Sequence, residues 1–88
     1  MIDKDSRDFI TSLSRGLDVL ACFDESKTAL TISDVAARVD ISRPTARRVL
    51  LTLESIGYLT VQGRGYALTP RILTLCQAYL ASHKVTDH

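Results

Sequence analysis

The stretch "TISDVAARVDISRPTARRVL", Thr31 to Leu50, decides how the whole chain reads. It holds two helix starts in close succession. Thr31 suits an N-cap, and Asp34 stands three residues on in a capping-box place, where a carboxylate also suits the positive helix end. Asp is shorter than the usual Glu, so the reciprocal bond has less reach. Ser42 caps the second helix, with Pro44 tolerated in its first turn. Ile32, Val35, Ala36 and Val39 give the first helix one apolar face. Ala46, Val49, Leu50 and Leu53 do the same for the second, with Ile56 at the border. The first helix stops after barely two turns at "VDIS".

A short helix, a three- or four-residue turn and a second capped helix have the layout of a helix-turn-helix, although an ordinary helical hairpin shares that spacing. Ala36 and Ala46 are small where the two helices must cross closely. The outward face separates the two readings. At about 100° per residue, Arg48 points away from the Ala46/Leu50/Leu53 stripe, flanked by Thr45 and Thr52 on one side and Arg47 on the other. Arg43 extends from the first turn. Adjacent cations on a helix repel, so this crowding implies an anionic partner outside the chain. A recognition helix presents such a face to a major groove, where arginine pairs bidentately with guanine and threonine offers a hydroxyl or a methyl. Ser42 and Ser33 sit at helix starts, where hydroxyls and backbone N–H groups suit phosphate.

Composition agrees with one small domain. The chain has 88 residues, 45% of them apolar and 24% charged, and a net charge of only +1. Its distribution says more than the sum. Residues 1–40 carry five Lys/Arg against eight Asp/Glu, and residues 41–88 carry six against two, so the halves differ as −3 and +4. No apolar run approaches the roughly 20 residues that span a membrane, and the start "MIDKDSRDF" lacks the layout of a secretory signal. The cytoplasm is the expected compartment. Cys22 and Cys76 form no CxxC pair. One disulfide between them is conceivable, and free thiols are the expectation.

Outside the central stretch, residues 1–11 read as a polar, flexible arm. A first helix spans about Ser12 to Phe23, with Leu13, Leu17, Leu20 and Phe23 as its core stripe and Val19 and Cys22 outside it. Gly16 falls on that stripe, which a close approach by another backbone would explain. After Gly57, which stops the third helix in the left-handed conformation, "YLTVQ", a turn "GRG" and "YALT" form a two-stranded hairpin. Ala29 and Leu30 are a possible short strand against its edge. Thr69 and Pro70 open a fourth helix, through about Ser82. The expected fold is mainly α with a small β-hairpin, a winged helix-turn-helix in the order helix, short strand, helix, helix, hairpin, helix. The recognition helix is 42–56 and the wing 62–66. Arg64, held between glycines at the wing tip, can reach a neighbouring minor groove; a merely solubilising charge on a glycine turn is the plainer alternative.

The segments "SLSRGLDVL", "TISDVAARVDISRPTARRVLLTLESIGYL", "GRGYALTPRILTL" and "AYL" together resemble the DNA-binding domain of the IclR family of bacterial transcriptional regulators, over about Ser12 to Leu80. The "TARR…L.TL…GY" core and the "LTPR.L.L" tail carry most of that likeness, and "ITSLSRGLDVL" is similar to regulators of aromatic-acid catabolism. The resemblance implies a dimer on a palindromic or direct-repeat operator in double-stranded DNA. It also implies a linker helix leading to a C-terminal domain that binds a small-molecule effector. It places DNA contacts at Ser42, Arg43, Thr45, Arg47 and Arg48, with Arg64 and Arg15 at the backbone or minor groove. Three positions depart from the family pattern: Asp40 stands where the turn usually has glycine, Cys76 where a small residue is common, and Pro44 where helix three has a small residue. The division expected is an arm at 1–11, the DNA-binding domain at 12–69, and a linker and dimerisation helix with a tail at 70–88. The chain stops at "ASHKVTDH", so the effector domain is expected to be absent and the chain to be an excised domain.

A homodimer through helices one and four is expected on physical grounds too. Ile72, Leu73, Cys76, Tyr79 and Leu80 share one side of helix four, with Leu75 widening it, and a small domain cannot bury all of this alone. No catalytic residue, metal ligand or cofactor is expected. Cys76 and His83 share a helix face but lie about 10.5 Å apart along the axis, beyond the reach of a nucleophile and its base. Cys76 is read as a small buried apolar residue, and His83 and His88 as a frayed tail. The remaining rival is a winged helix that binds an acidic protein surface instead of DNA.

Overall fold

The computed structural model describes residues 1–83, so the expected tail beyond His83, His88 included, lies outside the described residues. The element order is α1 (Thr11–Ala21), α2 (Ile32–Val39), α3 (Arg43–Ser55), β1 (Leu59–Gln62), β2 (Gly65–Leu68) and α4 (Ile72–His83). This is the expected mainly helical arrangement with a two-stranded antiparallel hairpin.

Local chemistry sets the ends of α2 and α3. The Thr31 hydroxyl accepts from the Asp34 N–H at 3.1 Å, and the Asp34 carboxylate accepts from the Thr31 N–H at 3.0 Å, so the shorter acid closes the capping box after all. Asp40 ends α2 at φ 61°, ψ 52°, the left-handed conformation in which a short polar side chain is tolerated. The turn is closed by the Ile41 N–H donating to the Ala36 carbonyl at 3.1 Å. Ser42 then caps α3 by accepting from the Thr45 N–H at 3.2 Å. Gly57, at φ 92°, stops it.

The core is built from Val19, Leu30, Val35, Ala36, Ala46, Leu50, Leu53 and Leu59, all buried. Ala36 and Ala46 are both buried in this core, to which α2 and α3 contribute side by side. Helix one corrects the expected stripe. Leu20 and Phe23 pack against the core, but Val19 is the residue fully inside it. Leu13 and Leu17 are 58% and 56% exposed. Only the C-terminal half of α1 meets the core; a cleft of about 540 Å³ separates its N-terminal half from α3. Gly16 lines this cleft, and a Cβ built on it would meet nothing within 4 Å. Among the described residues no other backbone approaches it, contrary to expectation.

The hairpin is tied to the rest of the fold through the buried Leu59, a Gln62 amide that donates to the Thr28 hydroxyl at 3.5 Å, and a backbone bridge to Leu30. Leu30 and Tyr66 exchange backbone hydrogen bonds at 2.9 and 2.8 Å, so the expected short strand is a single bridge. The two glycines of "GRG" have different tasks. Gly63, at φ 61°, begins a two-residue turn between Gln62 and Gly65. Gly65 lies in β2, where a Cβ would sit 2.6 Å from the Leu30 carbonyl oxygen. Only glycine allows that bridge to close.

Pro70 and Arg71 form a turn ahead of α4, which starts two residues later than the proline suggests. Successive bonds from Ile72, Leu73 and Thr74 to carbonyls three residues back make this entry a tight 3₁₀-like turn. None of the residues of α4 is buried. Cys76, expected inside, is exposed. His83, expected to fray, is in the helix with its ring stacked 3.9 Å from that of Tyr79. Both cysteines are free thiols.

The loop between α1 and α2 is held by charge. Arg38 donates to the Cys22 carbonyl at 3.0 Å and the Ser26 hydroxyl at 3.1 Å, and pairs with Asp24 at 3.2 Å. Lys27 pairs with Asp34 at 3.0 Å. The Thr31 N–H and then Lys27 hold the Asp34 carboxyl at about 2, below its ordinary 3.8. A carboxyl whose pKa is depressed by folding stabilises the fold above its unfolded value, and that contribution is lost as pH falls toward the folded one. Stability is therefore expected to drop between pH 3.8 and about 2. In urea titrations across that range, Asp34→Asn should show a flatter decline than the parent.

Candidate nucleic-acid interface

Three features of α3 make its outer face a cationic surface. Ser42 caps its N-terminus, the positive end of the helix, and no acidic residue lies in its first turn. The side chains of Arg43, Arg47 and Arg48 are exposed. Among the described residues the ion pairs are those of Lys27 with Asp34 and Arg38 with Asp24, so none of the three arginines is neutralised within the chain.

The fold brings most of the expected positions together around two cavities. One, of about 560 Å³, lies between the starts of α2 and α3, and Ser33, Arg43, Arg47 and Arg48 line it with Ile32 and Pro44. The other is the cleft between α1 and α3. Arg15 and Arg48 line it from opposite helices, together with Thr45 and Thr52, over a floor that includes Val49 and Leu53. Arg48 belongs to both walls, and neither lining contains an acidic residue. A guanidinium in that position has anion-binding space on either side.

Arg64 stands apart, exposed at the hairpin turn. Ser42 borders neither cavity, and its hydroxyl is already engaged: it accepts from the Thr45 N–H and donates to the Thr45 Oγ1 at 2.9 Å. Its task is to start α3 and orient Thr45. Two residues of the cleft, Thr11 and Ser12, escaped the sequence reading. Their signal was present, since two hydroxyls at a helix start just ahead of Arg15 suit the same anion that Arg15 would. Thr52 also lines the cleft, although its hydroxyl donates to the Arg48 carbonyl at 2.8 Å.

Among the described residues no group of three or more His, Cys, Asp or Glu side chains is placed to hold a metal ion. No helix there is long and apolar enough to cross a membrane. What remains is a helix-turn-helix with a wing and a cationic outer helix. The profile of the IclR helix-turn-helix domain matches residues 12–63. The chain belongs to the IclR family. That match covers every site position named above except Thr11 and Arg64, each one residue beyond an end of it.

Relatives of this IclR-family chain are transcriptional regulators. It is 51% identical over 75 residues to the Pca regulon regulatory protein of Pseudomonas putida, covering 85% of this chain and 26% of that protein. It is 39% identical over 77 residues to the p-hydroxybenzoate hydroxylase transcriptional activator of Acinetobacter baylyi, covering 88% of this chain and 28% of the activator. The latter's name agrees with the finer likeness to aromatic-acid regulators. Among solved structures, an IclR family transcriptional regulator from Brucella abortus superposes with a TM-score of 0.80 at 34% identity, over 91% of this chain and 32% of that one. The chain thus spans about a quarter of the length of these curated relatives.

Proposed function

We propose that this IclR-family domain binds double-stranded DNA sequence-specifically as the operator-reading part of a bacterial transcriptional regulator, acting in the cytoplasm. The observation that carries this reading is the convergence of Ser33, Arg43, Arg47 and Arg48 around one cavity, with no acidic residue in its lining. In this reading α3 enters the major groove. Arg47, Arg48 and Thr45 meet base edges, and Arg43 and Ser33 meet phosphates. Ser42 contributes its backbone N–H and the orientation of Thr45. Arg15 reaches the flanking backbone from α1, and Arg64 reaches the backbone or minor groove from the wing at 62–66.

The division that goes with it is an arm at 1–11, the reading domain at 12–69 and a dimerisation helix from 70. A homodimer through α1 and α4 is supported by the apolar side chains these helices leave outside: Leu13 and Leu17 at 58% and 56% exposure, and Leu73, Tyr79 and Leu80 at 60%, 60% and 48%. Two-fold pairing sets two recognition helices on successive half-sites. A small-molecule effector belongs to the remainder of the regulator, and the names of the relatives favour control of aromatic-acid catabolism. The domain itself performs no catalysis in this reading.

The test is a fluorescence-anisotropy titration with a mixed-sequence duplex at low and moderate salt. The parent is run beside an Arg47→Ala/Arg48→Ala variant whose folding is verified by circular dichroism. Salt-sensitive binding that the variant loses is the expected result. Absence of parent binding at low salt, with retention on an acidic protein surface, overturns the reading in favour of a protein-interaction module. In the same titration Arg64→Ala should weaken binding evenly across sequences and lower the salt slope by about 1.

A further inference from the structure

The "LTPR" segment has no part in the DNA-facing surface proposed above, yet its residues make the contacts that anchor α4. The Thr69 N–H donates to the Tyr58 carbonyl at 3.0 Å, and the Thr69 hydroxyl donates to the Gly57 carbonyl at 2.6 Å. That hydroxyl also accepts from the Arg71 N–H at 3.3 Å. The Arg71 guanidinium carbon lies 5.1 Å from the centre of the Tyr58 ring, within cation–π range. A Cβ built on Gly57, the residue that stops α3, would be 3.2 Å from the Arg71 Cδ. Beyond this joint none of the residues of α4 is buried. The direction of α4 is therefore fixed where it leaves the end of α3, and by little else among the described residues.

We propose that Thr69, Arg71 and Tyr58 are positioning residues that set the angle between α4 and the recognition helix, and thereby the half-site spacing a dimer accepts. The inference rests on the DNA-binding reading and on pairing through α4. Lever arithmetic gives it force. Twelve helical residues extend about 18 Å, so a swing of about 20° at the joint moves the far end about 6 Å. That is nearly two base-pair steps of about 3.4 Å each. None of the three side chains touches DNA in this arrangement; they act through the geometry of α3 and α4.

Two measurements on the 88-residue chain test it. Residual dipolar couplings of the backbone N–H groups report the orientation of α4 relative to α3. In the parent both helices should fit one alignment. In Arg71→Ala and Thr69→Val the couplings of α4 should fall by about half or more while those of α3 and the melting temperature hold, because a loosened joint averages orientation without touching the core. Tyr58→Phe keeps the ring and should behave as the parent, whereas Tyr58→Leu should follow Arg71→Ala. Unchanged α4 couplings in Arg71→Ala overturn the joint.

The second measurement uses the duplex that the parent selects from a random-sequence library, and the same duplex with two base pairs inserted at its centre. The parent should lose about tenfold or more in affinity on insertion, and Arg71→Ala less than about threefold, with equal affinity of the two proteins for a single half-site. Equal spacing discrimination by both proteins overturns the role in spacing. A parent that selects no duplex overturns that role together with the DNA reading, while the couplings still decide the joint on their own.

Discussion

Arg48→Ala is expected to lower affinity for the selected duplex by about 5- to 150-fold, the equivalent of about 1–3 kcal/mol for a bidentate base contact. The loss should be concentrated on a guanine-containing position of the half-site. Substituting that base pair should then cost the variant little further affinity, whereas it costs the parent the full amount. The geometry supports a large effect because Arg48 borders both cavities, one shared with Ser33, Arg43 and Arg47 and one with Arg15 and Thr45. Folding should be spared, since the bond that Thr52 makes at this position goes to the Arg48 carbonyl and not to its side chain. Alanine is also the best helix former. Anisotropy titrations of both proteins against the selected duplex and its single-base variants decide the matter. Equal discrimination by the two would remove Arg48 from the reading surface.

The second large effect concerns stability. Leu50 is fully buried and belongs to the one core that α1, α2, α3 and the hairpin share. Leu50→Ala should destabilise the domain by about 2–5 kcal/mol through lost burial and the cavity it leaves. A chain of this size has roughly 4–13 kcal/mol to lose, so the variant should be much nearer its unfolding transition at room temperature. Its neighbour Leu51 is 37% exposed on the same helix, and Leu51→Ala should cost less than about 1 kcal/mol. Urea denaturation of the pair measures the contrast. Similar midpoints for the two variants would show that the core is not organised around α3.

That contrast was legible in the sequence, because α3 has one apolar stripe and a charged opposite face. Caps were legible for the same local reason: Thr31, Asp34, Ser42 and Gly57 act within a few residues of themselves. Helix one was not, since it is apolar on more than one side. Periodicity cannot tell which of two stripes meets its own core, and Val19 rather than Leu13 or Leu17 turned out to be inside. In the sequence Gly65 reads as part of a turn, because its constraint comes from Leu30, thirty-five positions earlier in the chain. At the candidate site, the arginines stood out by their crowding, but the inward engagement of the Ser42 hydroxyl depends on a rotamer that no spacing encodes. The joint of Tyr58 with Arg71 was hidden in the same way. A tyrosine and an arginine thirteen residues apart become neighbours only when the hairpin folds between them.

The double hydrogen bond between Leu30 and Tyr66 has a thermodynamic consequence. Leu30 directly precedes the cap of α2, and Tyr66 lies one pair from the hairpin turn, so the start of the helix pair is tied to the wing near its tip. On the proposed reading, the two parts that meet the duplex are then already ordered relative to each other before any DNA arrives. Entropy of ordering is met during folding, not on association. Calorimetry of the complex should therefore show a heat-capacity change set by the surface removed from water, without the additional large negative increment of a segment that folds as it binds.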